Sequence, residues 1–253
     1  VCPTGAISPN TGKEAGPWLW LTRSTSCTAC DRACGINVHT SEGRVVKVQS
    51  INNDPVNGAV ICAEGRFSYQ LLAQGAVDSD LDRARQTLAA AASKSIVVSP
   101  RLTVEQIYVS AQLAKGLGAT LNYLAGNTGA AENNSKISGE ANLALLKRLG
   151  ATPLDATDMD CIISVGSGIS RAQAGKASII ALTTPGAVPE ADQLLPMADP
   201  LTIDGAVLNR DGALAILRGS MQNPEDRAGV SDPRACSPHQ PQRRSSGPYG
   251  AYP

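Results

Sequence analysis

Four cysteines, spaced Cys27-x2-Cys30-x3-Cys34-x27-Cys62, constrain this chain more than any other feature. The first three lie so close together that one tight loop must carry them. The fourth has to be delivered by a segment that leaves that loop and comes back. Two short runs rich in valine and isoleucine, Ile36–Thr40 and Arg44–Gln49, flank Ser41-Glu42-Gly43 and read as a β-hairpin. Such a hairpin is a return path. Asn52-Asn53-Asp54-Pro55 then breaks regular structure before Cys62.

Four converging thiolates are the normal ligand set of a [4Fe–4S] cluster. The rival is structural zinc, which usually takes two paired Cys or His arms. Here the fourth cysteine stands alone, so Cys27, Cys30, Cys34 and Cys62 are read as cluster ligands. Gly35 directly follows the third and Gly65 follows the fourth by three positions. Both are expected to bring backbone N–H groups close to sulfur. The chain has 7 cysteines, an odd number and mostly near its start, which argues against a secreted disulfide framework.

Composition narrows the remaining choices. Basic and acidic residues number 22 each, and a zero net charge gives no field for nucleic acid or a membrane surface. It also resists self-association poorly, which favours a subunit covered by partners. Apolar residues make up 42% but aromatics only 3%, so the core must be aliphatic. No apolar run is long enough to span a bilayer, so no direct membrane insertion is expected. No Sec leader is read at the start, and Val1 in place of Met suggests a fragment or a processed product.

Four zones follow along the 253 residues: an opening segment 1–25, a cysteine-bearing domain 26–72, an α/β domain 73–222 and a tail 223–253. In the third zone, Asp80–Ser93 reads as a helix and Ser95–Val98 as a buried strand. Thr103-Val104-Glu105-Gln106 is a capping box opening a second helix, whose apolar face is Val104, Ile107, Tyr108, Ala111 and Ala114. Thr120–Leu124 is the next strand; Leu143, Leu146 and Leu149 mark a helix ended by Gly150. Asp160–Val165 and Ser178–Leu182 are apolar enough for interior parallel strands. The alternation predicts a mostly parallel, doubly covered sheet. The tail, rich in proline, cannot repay its ordering entropy and is expected to be disordered or ordered only on a partner.

The cysteine motif with Cys62-Ala63-Glu64-Gly65-Arg66-Phe67 resembles the [4Fe–4S] domain of the molybdopterin-oxidoreductase superfamily. Within it, the chain most resembles the large iron–sulfur subunit of NADH-quinone oxidoreductase (complex I) and its soluble hydrogenase and electron-bifurcating relatives. Val1-Cys2-Pro3-Thr4-Gly5-Ala6-Ile7, Ala191-Asp192-Gln193-Leu194-Leu195-Pro196 and Asp204-Gly205-Ala206-Val207-Leu208-Asn209-Arg210-Asp211-Gly212 carry the likeness further. The resemblance implies a small cluster-binding domain followed by a shortened molybdopterin-oxidoreductase-like α/β domain. It implies a non-catalytic relay of single electrons, with other iron–sulfur and flavin subunits as partners, in the cytoplasm or on the cytoplasmic face of a membrane complex. Glu64 stands where the superfamily's pterin enzymes usually have Lys, the domain is short, and no cysteine lies between Cys62 and Cys161, so no molybdopterin is expected. A trimmed formate-dehydrogenase-like catalytic subunit and a zinc-stapled structural subunit remain the alternatives. Cys2-Pro3 resembles the last ligand of a C-x2-C-x2-C-x3-C-P run, which implies a second [4Fe–4S] cluster if its other ligands lie upstream, and an orphan or shared thiol if they do not.

The weaker candidates take bland readings. Cys161 is a buried structural thiol and Cys236 an unpaired one. Gly166-Ser167-Gly168 follows a strand, but Arg171 replaces the third glycine of a nucleotide loop, so a plain turn is expected. His39 is read as facing solvent, and His239 lies in the tail. Two histidines are too few for hydrolytic triads, Trp18 and Trp20 are read as packing residues, and Arg243-Arg244 is too short for a nucleic-acid patch.

Overall fold

The computed structural model describes residues 19–41, 44–67, 80–124, 142–183, 190–197 and 203–219. Cys2, Trp18, Cys236, His239, Arg243-Arg244 and the tail fall outside these residues. Val1–Gln222 forms one compact unit and Asn223–Pro253 a second, which contains no described residue.

The cysteine region is built on three antiparallel strands, β1 (Leu21–Ser26), β2 (Gly35–Ser41) and β3 (Arg44–Ser50), in that order across the sheet. The β2–β3 hairpin matches the sequence expectation, with a register shift between His39 and Thr40. The strand β1 was not expected. Its sequence, Leu-Thr-Arg-Ser-Thr-Ser, shows no hydrophobic alternation, and only pairing with β2 makes it a strand. Ile36, Val38, Val48 and Ile61 form the small core of this region, with Cys27, Cys34 and Val45 packed against them. The short helix α1 (Ala63–Phe67) follows at once from Cys62.

The α/β region is a six-stranded parallel sheet. Its strands are β4 (Lys94–Val98), β5 (Thr120–Tyr123), β6 (Thr152–Pro153), β7 (Cys161–Val165), β8 (Ser178–Thr183) and β9 (Gln193–Pro196). They run in the order β6-β5-β4-β7-β8-β9, so the winding reverses between β4 and β7. Helices α2 (Leu81–Ala90), α3 (Val104–Leu117), α4 (Leu143–Arg148) and α5 (Arg171–Ala174) accompany them. Alternate residues along a strand enter opposite layers. Ile96, Val98, Ile163 and Val165 join Ile107, Ala114 and Leu146 on one side. Val97, Ile162 and Ile179 join Ile169 and Ala174 on the other. Each such aliphatic side chain contributes roughly 1.5–3 kcal/mol by leaving water. The doubly covered parallel sheet expected from the sequence is therefore present, with β6 and β9 as additional edge strands.

The capping box forms as read: Gln106 N–H donates to Thr103 Oγ1 at 3.1 Å and Thr103 N–H donates to Gln106 Oε1 at 3.1 Å. Gly118 closes α3 in the left-handed conformation at φ 61°. The expected apolar face needs one correction. Ile107, Ala111 and Ala114 are buried, but Tyr108 is 55% exposed. Ser110 takes a buried place instead, its hydroxyl donating to Gln106 O at 2.8 Å.

A final antiparallel hairpin, β10 (Gly205–Leu208) and β11 (Leu214–Leu217), lies between the two regions. Ala206 N–H donates to Glu105 Oε2 of α3 at 3.2 Å, and Leu208 N–H to Asn142 Oδ1 at 2.6 Å. Asn142 in turn donates to the Pro100 and Leu102 carbonyls in the β4–α3 loop.

Candidate metal centre

The β1–β2 hairpin carries the cysteine loop at its tip. Ser26 pairs with Gly35 as the last rung of the ladder, and Cys27 N–H then donates to Cys34 O at 2.8 Å. Cys27, Cys30 and Cys34 are thus confined to one closed loop. Cys62 reaches the same place by the expected route: β3 runs back, Ile51 N–H donates to Gly35 O, and the 52–58 turn redirects the chain. Asp54 Oδ1 accepts from Val56 N–H at 2.9 Å within that turn.

Two of the sulfurs, those of Cys27 and Cys62, flank Gly65. A Cβ placed on Gly65 would lie 3.2 Å from Cys27 Sγ and 3.8 Å from Cys62 Sγ, so that glycine leaves room beside both sulfurs. Cys27 also senses the charges of Cys30, Cys34 and Cys62. Among the described residues, no three or more His, Cys, Asp or Glu side chains are already drawn together tightly enough to hold a metal ion.

Burial dominates the acid–base state of Cys27, Cys30 and Cys34, while Cys62 is exposed. It pushes Cys27 up to about 12, against the N–H of Ala29 and with the repulsion of the other three thiolates. Burial likewise raises Cys30 and Cys34; nearby thiolates add to the rise, and the cations Arg210 and Arg32 respectively oppose it. A bound cationic centre would counter this rise, because a coordinating thiol is deprotonated outright. Two backbone donors already face sulfur: Ala29 N–H lies 3.5 Å from Cys27 Sγ and Gly65 N–H 3.4 Å from Cys62 Sγ. The expectation for Gly65 holds in this geometry. The one for Gly35 does not, since its N–H donates to Asn57 Oδ1 at 2.7 Å and an added Cβ would strike the Asp54 carboxylate.

Other sequence candidates stand apart from the tetrad. Cys161 is fully buried in β7, and burial raises its thiol to about 11, as befits a packing residue. His39 departs from the expectation of a solvent-facing ring. It is half-buried, with Nδ1 2.8 Å from Thr22 Oγ1 and Nε2 3.1 Å from Gln49 Oε1, so both nitrogens are occupied. Its pKa is lowered, chiefly by burial, with the Gln49 bond opposing and Lys47 adding. Trp20 packs against it with ring centroids 5.4 Å apart. Gly166 turns the chain at φ +64°, and a Cβ there would lie 2.7 Å from Leu102 Cδ2 and 3.2 Å from Met197 Cε. Leu102 and Met197 thus crowd the point where the winding reverses, the usual ligand crevice of such sheets. Arg171 is committed to Asp192 Oδ1 at 2.9 Å and to the Ala177 carbonyl at 3.0 Å. The plain-turn reading of Gly166–Gly168 agrees with this packing.

Two residues were missed. Asp31, between the first cysteines, and Arg210, on the β10–β11 turn, form an ion pair at 3.3 Å across 179 positions. Asp31 had a signal in its place beside Cys30; Arg210 had none apart from its family segment. Glu64, next to Cys62, meets Arg101 of the β4–α3 loop at 3.8 Å, with both side chains partly exposed.

This geometry accords with comparison to known proteins. Residues 21–74 match the molybdopterin oxidoreductase Fe4S4 domain. The resemblance drawn from the cysteine motif is borne out. The chain is similar to the NADPH-Fe(3+) oxidoreductase subunit alpha of Geobacter sulfurreducens, 28% identical over 202 residues, covering 69% of this chain and 23% of that relative. It is also similar to the NADH-quinone oxidoreductase subunit 3 of Thermus thermophilus, 30% identical over 84 residues, covering 33% of this chain and 11% of that relative. The chain thus spans about a quarter or less of the curated relatives it matches. Family match and relatives agree on an iron–sulfur domain of oxidoreductase type over residues 21–74. Among the described residues, no helix is long and apolar enough to cross a membrane.

Proposed function

We propose that Cys27, Cys30, Cys34 and Cys62 hold one [4Fe–4S] cluster, and that the chain relays single electrons within a larger NADH- or NADPH-linked oxidoreductase. The observation that supports this reading is that Cys27 and Cys62, 35 positions apart, bring their sulfurs to either side of Gly65, each with a backbone donor, while Cys30 and Cys34 share the closed loop of Cys27. The donor set fits the group in kind: four soft thiolates, one for each iron. When bound, such a cluster takes up and releases one electron at a time. The chain's residues do the rest. The β1–β2 loop places three ligands, the start of α1 presents the fourth, and the Ile36–Val38–Val48–Ile61 core excludes water from one side. The Ala29 and Gly65 N–H groups stabilise negative charge on sulfur.

Both relatives are named as subunits of larger oxidoreductases, which supports partner subunits for this chain. Those partners are other iron–sulfur and flavin subunits, on the cytoplasmic side. Glu64 paired with Arg101, and Leu102 with Met197 at the winding reversal, support a scaffold without a molybdopterin of its own. Residues 26–72 then act as the cluster-binding domain and 73–222 as its support. Cys2 serves a second cluster whose other ligands come from outside this chain.

Anaerobic purification followed by iron, sulfide, zinc, molybdenum and tungsten quantitation tests the reading, with EPR of the dithionite-reduced protein. About four irons and four sulfides with a reduced-cubane signal support it. One zinc without labile sulfide, or bound pterin with molybdenum or tungsten, overturns it. Additional iron with a second signal assigns Cys2.

A further inference from the structure

Resting on that cluster reading, we propose that the Arg210–Asp31 pair positions Cys30 and balances the charge beside the cluster, with Arg210 as the cation that offsets Asp31 and keeps the reduction potential from falling. Asp31 follows Cys30 directly. Arg210 holds it twice: its backbone N–H donates to the Asp31 carbonyl at 2.7 Å, and its guanidinium meets the carboxylate at 3.3 Å. The Asp31 side chain is only 13% exposed and that of Arg210 40%, so water screens the pair from the arginine side alone. The turn that presents Arg210 is itself fixed, since Asn209 Oδ1 accepts from the Asp211 and Ala213 N–H groups.

The hairpin grips the rest of the loop as well. Ala33 packs with Val207 and Leu217, and it sits at φ 52°, a left-handed conformation that alanine adopts only when its surroundings impose it. Arg218 N–H donates to Thr25 Oγ1 at 2.9 Å, tying down the strand that leads into Cys27.

The electrostatic consequence follows from charge balance. One electron from a low-potential reductant, a dithionite-type donor or a neighbouring reduced cluster, adds one negative charge to the thiolate-bound cluster, with no bond broken. A fixed cation nearby stabilises that product, and a fixed anion opposes it. Arg210 and Asp31 largely cancel while paired. Removing either one unmasks the other, so the two single variants should move the potential in opposite directions.

The test is an EPR-monitored potentiometric titration of the full chain, purified anaerobically, with iron and sulfide counted in every variant. R210Q should lower the equilibrium constant for reduction about tenfold, ~59 mV more negative for a one-electron couple. D31N should shift it to more positive potential. R210K, and the double variant R210Q/D31N, should stay near wild type. A merely structural clamp would instead lower cluster content in both single variants without opposed shifts. If both keep full cluster content and shift the same way, or not at all, the proposal is overturned. If R210Q loses its cluster, D31N against R210K decides, and no positive shift in D31N overturns it. A wild-type chain without a cubane sinks the earlier reading instead, which separates the two failures.

Discussion

The cysteine region and the parallel sheet are held together by different means. The sheet buries aliphatic side chains in two layers, from Ile96, Ile107 and Leu146 on one side to Val97, Ile162 and Ile179 on the other. The three-stranded unit buries Ile36, Val38, Val48 and Ile61, and two of its cysteines complete that core. So small a core supplies little stability by itself. The lesson is a division of labour. The α/β region can stand on hydrophobic burial, while the cysteine region leans on the β10–β11 hairpin and, on the proposed function, on a bound cluster to hold its loop.

The largest expected effect breaks one region and spares the other. Cys62→Ala should lose the intact cubane and hydrogen-exchange protection across β1–β3, with β4, β7 and β8 still protected. Retention of full cluster content would contradict the assigned ligand set. The reverse experiment comes next. Leu146 is fully buried, so Leu146→Ala should cost roughly 2–5 kcal/mol of α/β stability in urea melts. Iron content per folded chain should stay unchanged, and a parallel loss of cluster would show that the regions fold as one.

A smaller effect tests local helix coding in the sheet region. Thr103→Ala removes the side-chain half of the α3 cap, and a loss of about 1 kcal/mol is expected from the same melts. The smallest effect concerns acid. Burial raises Asp192, but the Ile179 N–H and Arg171 outweigh it, so its folded pKa lies below the ordinary value of 3.8. A depressed carboxylate contributes stability that is complete above the unfolded pKa and lost as pH falls through the folded one. Asp192→Asn should therefore weaken the protein at neutral pH and lessen its loss of stability below about pH 4. A variant whose acid profile matches wild type would remove Asp192 from the acid response.

What could be read in advance was local. The cysteine spacing pointed to the tetrad, and the β2–β3 return explained how Cys62 arrives. The capping box at Thr103 and the apolar runs at β4, β7 and β8 were legible because each signal is complete within a few residues. Gly65 was legible as a close approach to sulfur. Gly35 was not, because its partner Asn57 lies in a turn whose folded path no spacing rule supplies. His39 was misread for the same reason: Thr22, Gln49 and Trp20 reach it only once the strands have paired.

The amino-acid order by itself nominated Cys27, Cys30, Cys34 and Cys62 as one ligand set and determined the inner strands of the parallel sheet, since thiol spacing and hydrophobic period act over short distances. Only the tertiary structure decided that Leu21–Ser26 is a strand, that Leu102 and Met197 crowd the reversal point, and that Arg210 meets Asp31. Strand pairing and ion pairing depend on surfaces brought together by the whole fold, and a partner 179 positions away leaves no trace in the local pattern.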